Sequence, residues 1–176
     1  LVHSAGNDES DNDSVPSYPN PDYEGLNKKS AAFLTVGASG GGPDRLVLAR
    51  FSNYGRTGVD LFAPGVKVYS TVPGNEYETF SGTSMAAPVV AGVAALLLEY
   101  YPGLSARQLK YVIVHSVMKL PVSNVKLAAT GKTVDFSGLS AGGGIVNAYN
   151  ALKLAGTLKG ERGKTLRLKG IQRKPD

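Results

Sequence analysis

The side chain best placed to do covalent chemistry in this sequence is a serine that follows a glycine and a threonine. Ser84 opens a long apolar stretch that the sequence predicts as a helix. The first turn of a helix has backbone N–H groups without intrahelical partners, and the helix dipole favours negative charge there. Gly82 leaves room for a substrate backbone. Ser84 is therefore a candidate nucleophile, although serine at this position also serves as an ordinary helix cap.

Three blocks of sequence match a known pattern in the same order along the chain. Residues 82–88 read Gly-Thr-Ser-Met-Ala-Ala-Pro, and residues 4–7 read Ser-Ala-Gly-Asn. Between them, residues 51–55 read Phe-Ser-Asn-Tyr-Gly and residues 60–65 read Asp-Leu-Phe-Ala-Pro-Gly. These blocks resemble the nucleophile, oxyanion-hole and intervening segments of the subtilisin-like serine proteases, the subtilases. The resemblance covers residues 1–154.

The resemblance implies a role for each matched residue. Ser84 would be the nucleophile, and the Asn7 side-chain amide would join the Ser84 backbone N–H in binding the oxyanion. The remaining matched residues would contact substrate: Ala5 and Gly6 as one wall of the pocket for the residue before the scissile bond, Phe80 and Ser81 on the leaving-group side, and Gly82 and Thr83 beside the nucleophile. The substrate would be a peptide or protein. No cofactor or metal is indicated, although a longer protein that contains this chain could bind calcium.

The sequence departs from the family pattern at the other two triad positions. Subtilases place Asp, His and Ser in that order, but no aspartate motif and no His-Gly-Thr motif precedes Asn7. Neither His3 nor His115 is followed by glycine, so we expect both to be ordinary side chains. Residues 1–155 are thus predicted to be the C-terminal part of a subtilase catalytic domain, inactive alone and completed by a missing N-terminal half. The family implies a secreted or cell-envelope location.

Two other functions remain open on the sequence alone. The first is a non-catalytic module that keeps the subtilase shape and binds a partner. The second is a hydrolase with a nucleophile elbow, since residues 82–86 are one glycine short of G-x-S-x-G. That reading would assign the base to His115, and it leaves the Asn7 block unexplained.

The predicted elements that position these residues are those of an α/β fold. The β-branched and apolar run at residues 32–38 predicts a buried strand, residues 59–65 and 66–72 predict a strand-turn-strand pair, and residues 76–80 predict one further short strand. Residues 84–100 predict a helix buried all round, residue 105 caps a second helix, and residues 145–154 predict a third. Residues 8–30 are polar and rich in turn residues, which predicts an exposed loop. We expect a mainly parallel sheet with helices on both faces.

Composition excludes several classes of protein. The chain has 176 residues, 42% hydrophobic and 19% charged, with no cysteine, which fits a folded domain without disulfides or thiolate metal sites. Its net charge of +5 resides in residues 156–176, a basic tail, while residues 1–155 balance to zero. We therefore expect no nucleic-acid partner. Because no run of about eighteen apolar residues is free of polar interruption, we also expect no membrane span. A parallel sheet cut in half exposes apolar surface, so the isolated chain is expected to self-associate or to be marginally stable.

Overall fold

A three-stranded parallel sheet forms the centre of the computed structural model, which describes residues 1–23, 25–26, 28–40, 47–120, 124–127 and 129–162. The strands are β1 (Val2–Ser4), β2 (Leu34–Ser39) and β3 (Leu61–Pro64), in the order β1-β2-β3. Val2 pairs with Leu34, and Val36 pairs with Leu61. Since all three strands run in the same direction, their carboxyl ends lie at one edge of the sheet. Asn7 lies in the loop after β1 at this edge, and Gly65 directly follows β3 there. The predicted α/β class is confirmed.

Helix α1 (Thr83–Tyr100) packs across all three strands and buries Ala86, Val90 and Leu97. By length and a mean hydropathy of 1.5 it is long and apolar enough to cross a membrane, and in this structure one side of it packs on the sheet and on two other helices. The prediction that it is buried all round is wrong. Its other side is apolar yet exposed, because no element among the described residues covers Ala91, Ala95 and Leu96.

Helices α2 (Ala106–His115) and α3 (Ala148–Ala155) pack on α1 and share its apolar core. The predicted cap at Ser105 is confirmed, since its hydroxyl accepts a hydrogen bond from the Gln108 backbone while the Gln108 side chain accepts one from the Ser105 N–H. On α2, the Lys110 ammonium lies 2.7 Å from the Asp60 carboxylate and also donates to the Phe33 carbonyl. This largely buried ion pair ties the helix layer to the sheet.

The opposite face of the sheet packs against loops, a small hairpin and a 3-10 turn. The hairpin joins β6 (Asn124–Lys126) to β7 (Thr133–Asp135), and the 3-10 turn is Phe136–Gly138. The Phe62 ring contacts Phe136, with centroids 4.8 Å apart. Among the described residues, the three α-helices pack on the other side of the sheet, in the core that contains Val36, Leu61 and Ala63. Each hairpin strand has three residues and a single apolar side chain, Val125 or Val134, which is too short a pattern to predict a strand.

A second antiparallel hairpin leads directly into α1. Its strands are β4 (Val68–Val72) and β5 (Glu76–Phe80), joined by a turn in which Gly74 and Asn75 have positive φ. The predicted pairing of residues 59–65 with 66–72 is therefore wrong: β3 pairs with β2, and β4 pairs with β5. The chain turns away from the sheet at Gly65, where adding a Cβ would bring it within 2.7 Å of the Ala38 methyl.

Candidate active site

Ser84 lies in the first turn of α1 and is exposed. The helix is preceded by Gly82, which has no side chain to cap it. The Ser84 backbone N–H enters none of the hydrogen bonds found among the described residues. Its free N–H and the positive end of the helix dipole therefore meet beside the Ser84 hydroxyl. This is an environment that favours developing negative charge.

Asn7 lies in the loop that follows β1, and its side chain reaches the same helix terminus. The Asn7 Oδ1 accepts hydrogen bonds from the Thr83 backbone N–H at 2.9 Å and from the Thr83 hydroxyl at 3.0 Å. Because a backbone N–H can only donate, the amide oxygen must be the atom that faces it. The amide nitrogen is thereby directed to the other side. It adjoins Gly82, on which a Cβ would lie 3.6 Å from Asn7 Nδ2.

Thr83 holds Asn7 rather than facing solvent. It is 1% exposed, and its hydroxyl accepts from the Gly6 N–H while donating to Asn7. Sequence reasoning assigned Thr83 to substrate binding and did not find this contact, because the two residues are 76 positions apart. The only available signal was that Thr83 adjoins the candidate nucleophile. Thr83 therefore joins the loop after β1 to the start of α1.

The predicted substrate-binding residues differ in exposure. Phe80, at the end of β5, is 45% exposed, Ser81 is exposed, and Gly6 is half-buried. Ala5 is fully buried and Gly82 is buried, so neither presents a side chain at the surface. These two positions could meet a substrate only through the backbone around them.

The turn after β3 positions the segment that carries Ser84. The Gly65 carbonyl accepts a hydrogen bond from the Gly82 N–H at 2.8 Å. A Cβ at Gly65 would lie 2.7 Å from the Gly82 carbonyl oxygen, so only glycine allows this approach. The Ser81 hydroxyl in turn accepts from the Lys67 N–H. Residues 60–65, which the sequence singled out without a role, thus support the start of α1.

Neither histidine is bonded to Ser84. The His3 ring lies on β1 against Phe33, its Nδ1 is buried without a partner, and burial lowers its pKa. The His115 ring lies at the end of α2, stacked on Tyr111 with its Nδ1 2.8 Å from the Tyr111 carbonyl oxygen. No hydrogen bond within the described ranges joins either ring to the Ser84 hydroxyl. A serine without a base is a weak nucleophile.

In the polar loop of residues 8–30, the Asp13 carboxylate binds a distant turn of the chain at Thr57 and Gly58. The Asp13 Oδ1 accepts from the Thr57 N–H, the Thr57 hydroxyl and the Gly58 N–H. Burial by itself would raise the Asp13 pKa, but these hydrogen bonds outweigh it and hold the pKa below its usual value of 3.8. In the part of the chain that the structure describes, no group of three or more His, Cys, Asp or Glu side chains is arranged to hold a metal ion.

Comparison with known proteins agrees with this geometry. The model of the subtilase family, Peptidase_S8, matches residues 1–147. Alkaline elastase YaB from Bacillus sp. (strain YaB) is 40% identical over 129 residues, which are 73% of this chain and 29% of the elastase. A cold-adapted subtilisin-like serine proteinase structure superposes with a TM-score of 0.55 at 31% identity, covering 78% of this chain and 42% of that chain.

A third comparison concerns the fold alone. A structure from the subtilase cytotoxin SubAB assembly gives a TM-score of 0.69 at 24% identity. It covers 88% of this chain and 48% of that chain. This chain therefore spans less than half the length of each of the three proteins it matches here.

Proposed function

Because this chain belongs to the subtilase family of serine peptidases, we propose that it carries the nucleophile and the oxyanion-binding groups of a peptide-bond hydrolase. The observation that carries the proposal is the pair of hydrogen bonds from Thr83 to Asn7 Oδ1. They direct Asn7 Nδ2 away from Thr83, and the Ser84 N–H makes no hydrogen bond among the described residues, so two donors lie at one helix terminus. Two preorganised donors are what an oxyanion requires.

The proposed reaction begins with the attack of the Ser84 hydroxyl oxygen on the scissile carbonyl carbon. A histidine that is not part of residues 1–176 takes the hydroxyl proton, and an aspartate orients that histidine. The carbonyl oxygen becomes an oxyanion, which accepts hydrogen bonds from Asn7 Nδ2 and the Ser84 N–H. The histidine then gives its proton to the leaving amine, and water releases the acyl group from Ser84 in a second cycle of the same steps.

The exposed residues around Ser84 would form the surface on which the substrate binds. Phe80 and Ser81 would border the leaving-group side, because they immediately precede the helix terminus and are exposed. The loop of Ala5 and Gly6 would form the other wall through its backbone. A peptide or protein in extended conformation is the substrate class proposed, with cleavage inside the chain.

The missing base implies a further segment of protein. We propose that the histidine and the aspartate come from an N-terminal half of the catalytic domain, which packs on the exposed apolar side of α1 and on the free edge of β1. Within the described residues, β1 has a strand partner only on its β2 side. Secretion or attachment to the cell envelope is proposed on family grounds only.

Replacement of Asn7 tests the proposal in the active peptidase that contains residues 1–176. Asn7→Ala should lower kcat by roughly 10²–10³ and leave KM nearly unchanged, because the donor acts only once the oxyanion has formed. Asn7→Asp is the matched variant, since it keeps the acceptor that Thr83 needs and removes the donor. It should lose kcat as strongly. If both variants fold and lose less than about threefold in kcat, Asn7 is not part of an oxyanion hole.

One observation favours a second function. Since neither histidine is bonded to Ser84, the chain also fits a non-catalytic module that keeps the subtilase shape and binds a partner. Full-length protein that folds, binds peptide and shows no Ser84-dependent hydrolysis would support this function over the first.

A further inference from the structure

Asn53 is a buried amide in the turn between β2 and β3, and the proposed reaction gives it no role. It is 3% exposed. An amide side chain can donate two hydrogen bonds and accept two. In Asn53 all four are made inside the protein, so this side chain is held in one orientation.

The contacts of Asn53 converge on the loop that carries Asn7. Its Nδ2 donates to the Ala5 carbonyl at 3.1 Å. Its Oδ1 accepts from the Asp8 N–H at 2.8 Å and from the Ser10 N–H at 3.1 Å. Its backbone N–H donates to the Gly6 carbonyl at 3.0 Å. Asn53 therefore binds the backbone on both sides of Asn7.

A second buried amide supports Asn53. The Asn12 Oδ1 accepts the remaining Asn53 N–H at 3.0 Å, and Asn12 Nδ2 donates to the same Ala5 carbonyl at 2.9 Å. The two amides thus fix the Ala5 carbonyl from two directions. Burial makes the loss of any one of these bonds costly, because the partner would be left unsatisfied.

The Asn7 loop is therefore held at two separate points. Thr83 holds the end of the Asn7 side chain, and Asn53 holds the backbone from which that side chain projects. Without the second contact, the Thr83 hydrogen bonds alone would have to fix both the loop and the amide. An error of about 1 Å in the position of a reacting or binding group can cost about 10²-fold in rate.

We propose that Asn53 is the positioning residue of the oxyanion hole, holding the backbone at Ala5, Gly6 and Asp8 so that Asn7 Nδ2 meets the oxyanion. The inference rests on the proposed function. Asn53 acts through Asn7 and does not touch the substrate. Its removal should therefore weaken the hydrogen bond from Asn7 Nδ2 to the oxyanion in the transition state.

The test measures kcat and KM in the active peptidase that contains residues 1–176. Asn53→Ala should lower kcat by about 10-fold to 10²-fold with KM changed less than about twofold. In the Asn7→Ala background the same change should lower kcat by less than about twofold, because the donor it positions is already gone. If Asn53→Ala does not fold, Asn53→Asp, which keeps Oδ1, replaces it in both backgrounds.

Ser52→Ala is the matched control. Ser52 is equally buried and adjacent, but its hydroxyl accepts from the Ala38 N–H and donates to the Asn53 carbonyl, without contacting the loop. It should lower the melting temperature and leave kcat near wild type. If Ser52→Ala and Asn53→Ala lower kcat equally, or if Asn53→Ala costs as much without Asn7 as with it, the positioning role is wrong. If Asn7→Ala itself leaves kcat unchanged, the proposed function is wrong as well.

Discussion

Gly6 is the position where the structure predicts the sharpest effect of adding a single methyl group. Its φ is +108°, a backbone angle that residues other than glycine rarely adopt. A Cβ built there would lie 2.5 Å from Asn53 Nδ2 and 3.1 Å from Asn53 Cγ. Gly6→Ala therefore brings together an unfavourable backbone conformation and a steric clash with a side chain that is hydrogen-bonded on all sides.

The two costs can be estimated separately. A non-glycine residue held in a sparsely populated backbone region costs about 1–3 kcal/mol. Forcing an extra methyl into a packed site costs about 1–3 kcal/mol. Gly6→Ala should therefore lower the free energy of unfolding by about 2–6 kcal/mol, which corresponds to a fall in melting temperature of at least about 4 °C for a chain of this size.

Gly74→Ala separates the two costs. Gly74 also has a positive φ, +89°, but a Cβ there would meet no atom within 4 Å. Urea unfolding of the 176-residue chain should show that Gly6→Ala is more destabilising than Gly74→Ala by about 1–3 kcal/mol. That difference should shrink in the Asn53→Ala background, where the clashing atom is absent. If the two glycine variants agree to within about 0.5 kcal/mol, the close approach of Gly6 to Asn53 is refuted.

Three further outcomes follow from the described residues. The 176-residue chain should not be labelled stoichiometrically by a fluorophosphonate probe, because Ser84 has no bonded base; rapid labelling of Ser84 in mass spectra would show that the chain contains one. Leu96→Glu, which charges the exposed apolar side of α1, should reduce self-association in sedimentation experiments. Tyr18→Ser is the control, because Tyr18 is 79% exposed but lies away from α1, and it should leave self-association unchanged. If the two variants reduce self-association equally, the exposed side of α1 is not the surface through which the copies associate. The Asp13 pKa lies below 3.8 in the folded chain, so its contribution to stability is present above that pH and is lost as pH falls through the folded pKa. Asp13→Asn should therefore flatten the acid-unfolding curve below about pH 4, and a curve parallel to wild type would contradict the assignment.

Local chemistry predicted part of this fold. The Ser105 cap was found because its signal lies within four residues, and the strand at residues 76–80 because it is a compact run with turn residues before it. The pairing of the parallel strands could not be predicted in this way, because it joins segments that are distant in sequence. Residues 59–65 and 66–72 adjoin in sequence, which favoured a hairpin, but β3 gains more by pairing with β2 inside the core.

The candidate site was predicted by motif and completed by tertiary structure. Ser84 and Asn7 stand in recognisable strings, so the sequence could nominate them. Thr83 and Asn53 act through hydrogen bonds to residues 76 and 45 positions away, and no short pattern signals such contacts. The exposed side of α1 escaped prediction for another reason: a helix that is apolar on every side gives no periodicity from which a solvent-facing side could be identified.

The order of strands in the sheet decides when this chemistry becomes available. Gly6 follows β1 and Gly65 follows β3, and these strands meet only through β2. Both parallel pairings are therefore part of the arrangement that holds Asn7 beside the start of α1. Parallel pairings between distant segments form slowly, because closing the long intervening loop costs entropy before the contacts are gained. On the proposed function, the donors of the oxyanion hole come together only in the folded domain, so an unfolded copy of the peptidase cannot cleave peptides even though it contains Ser84.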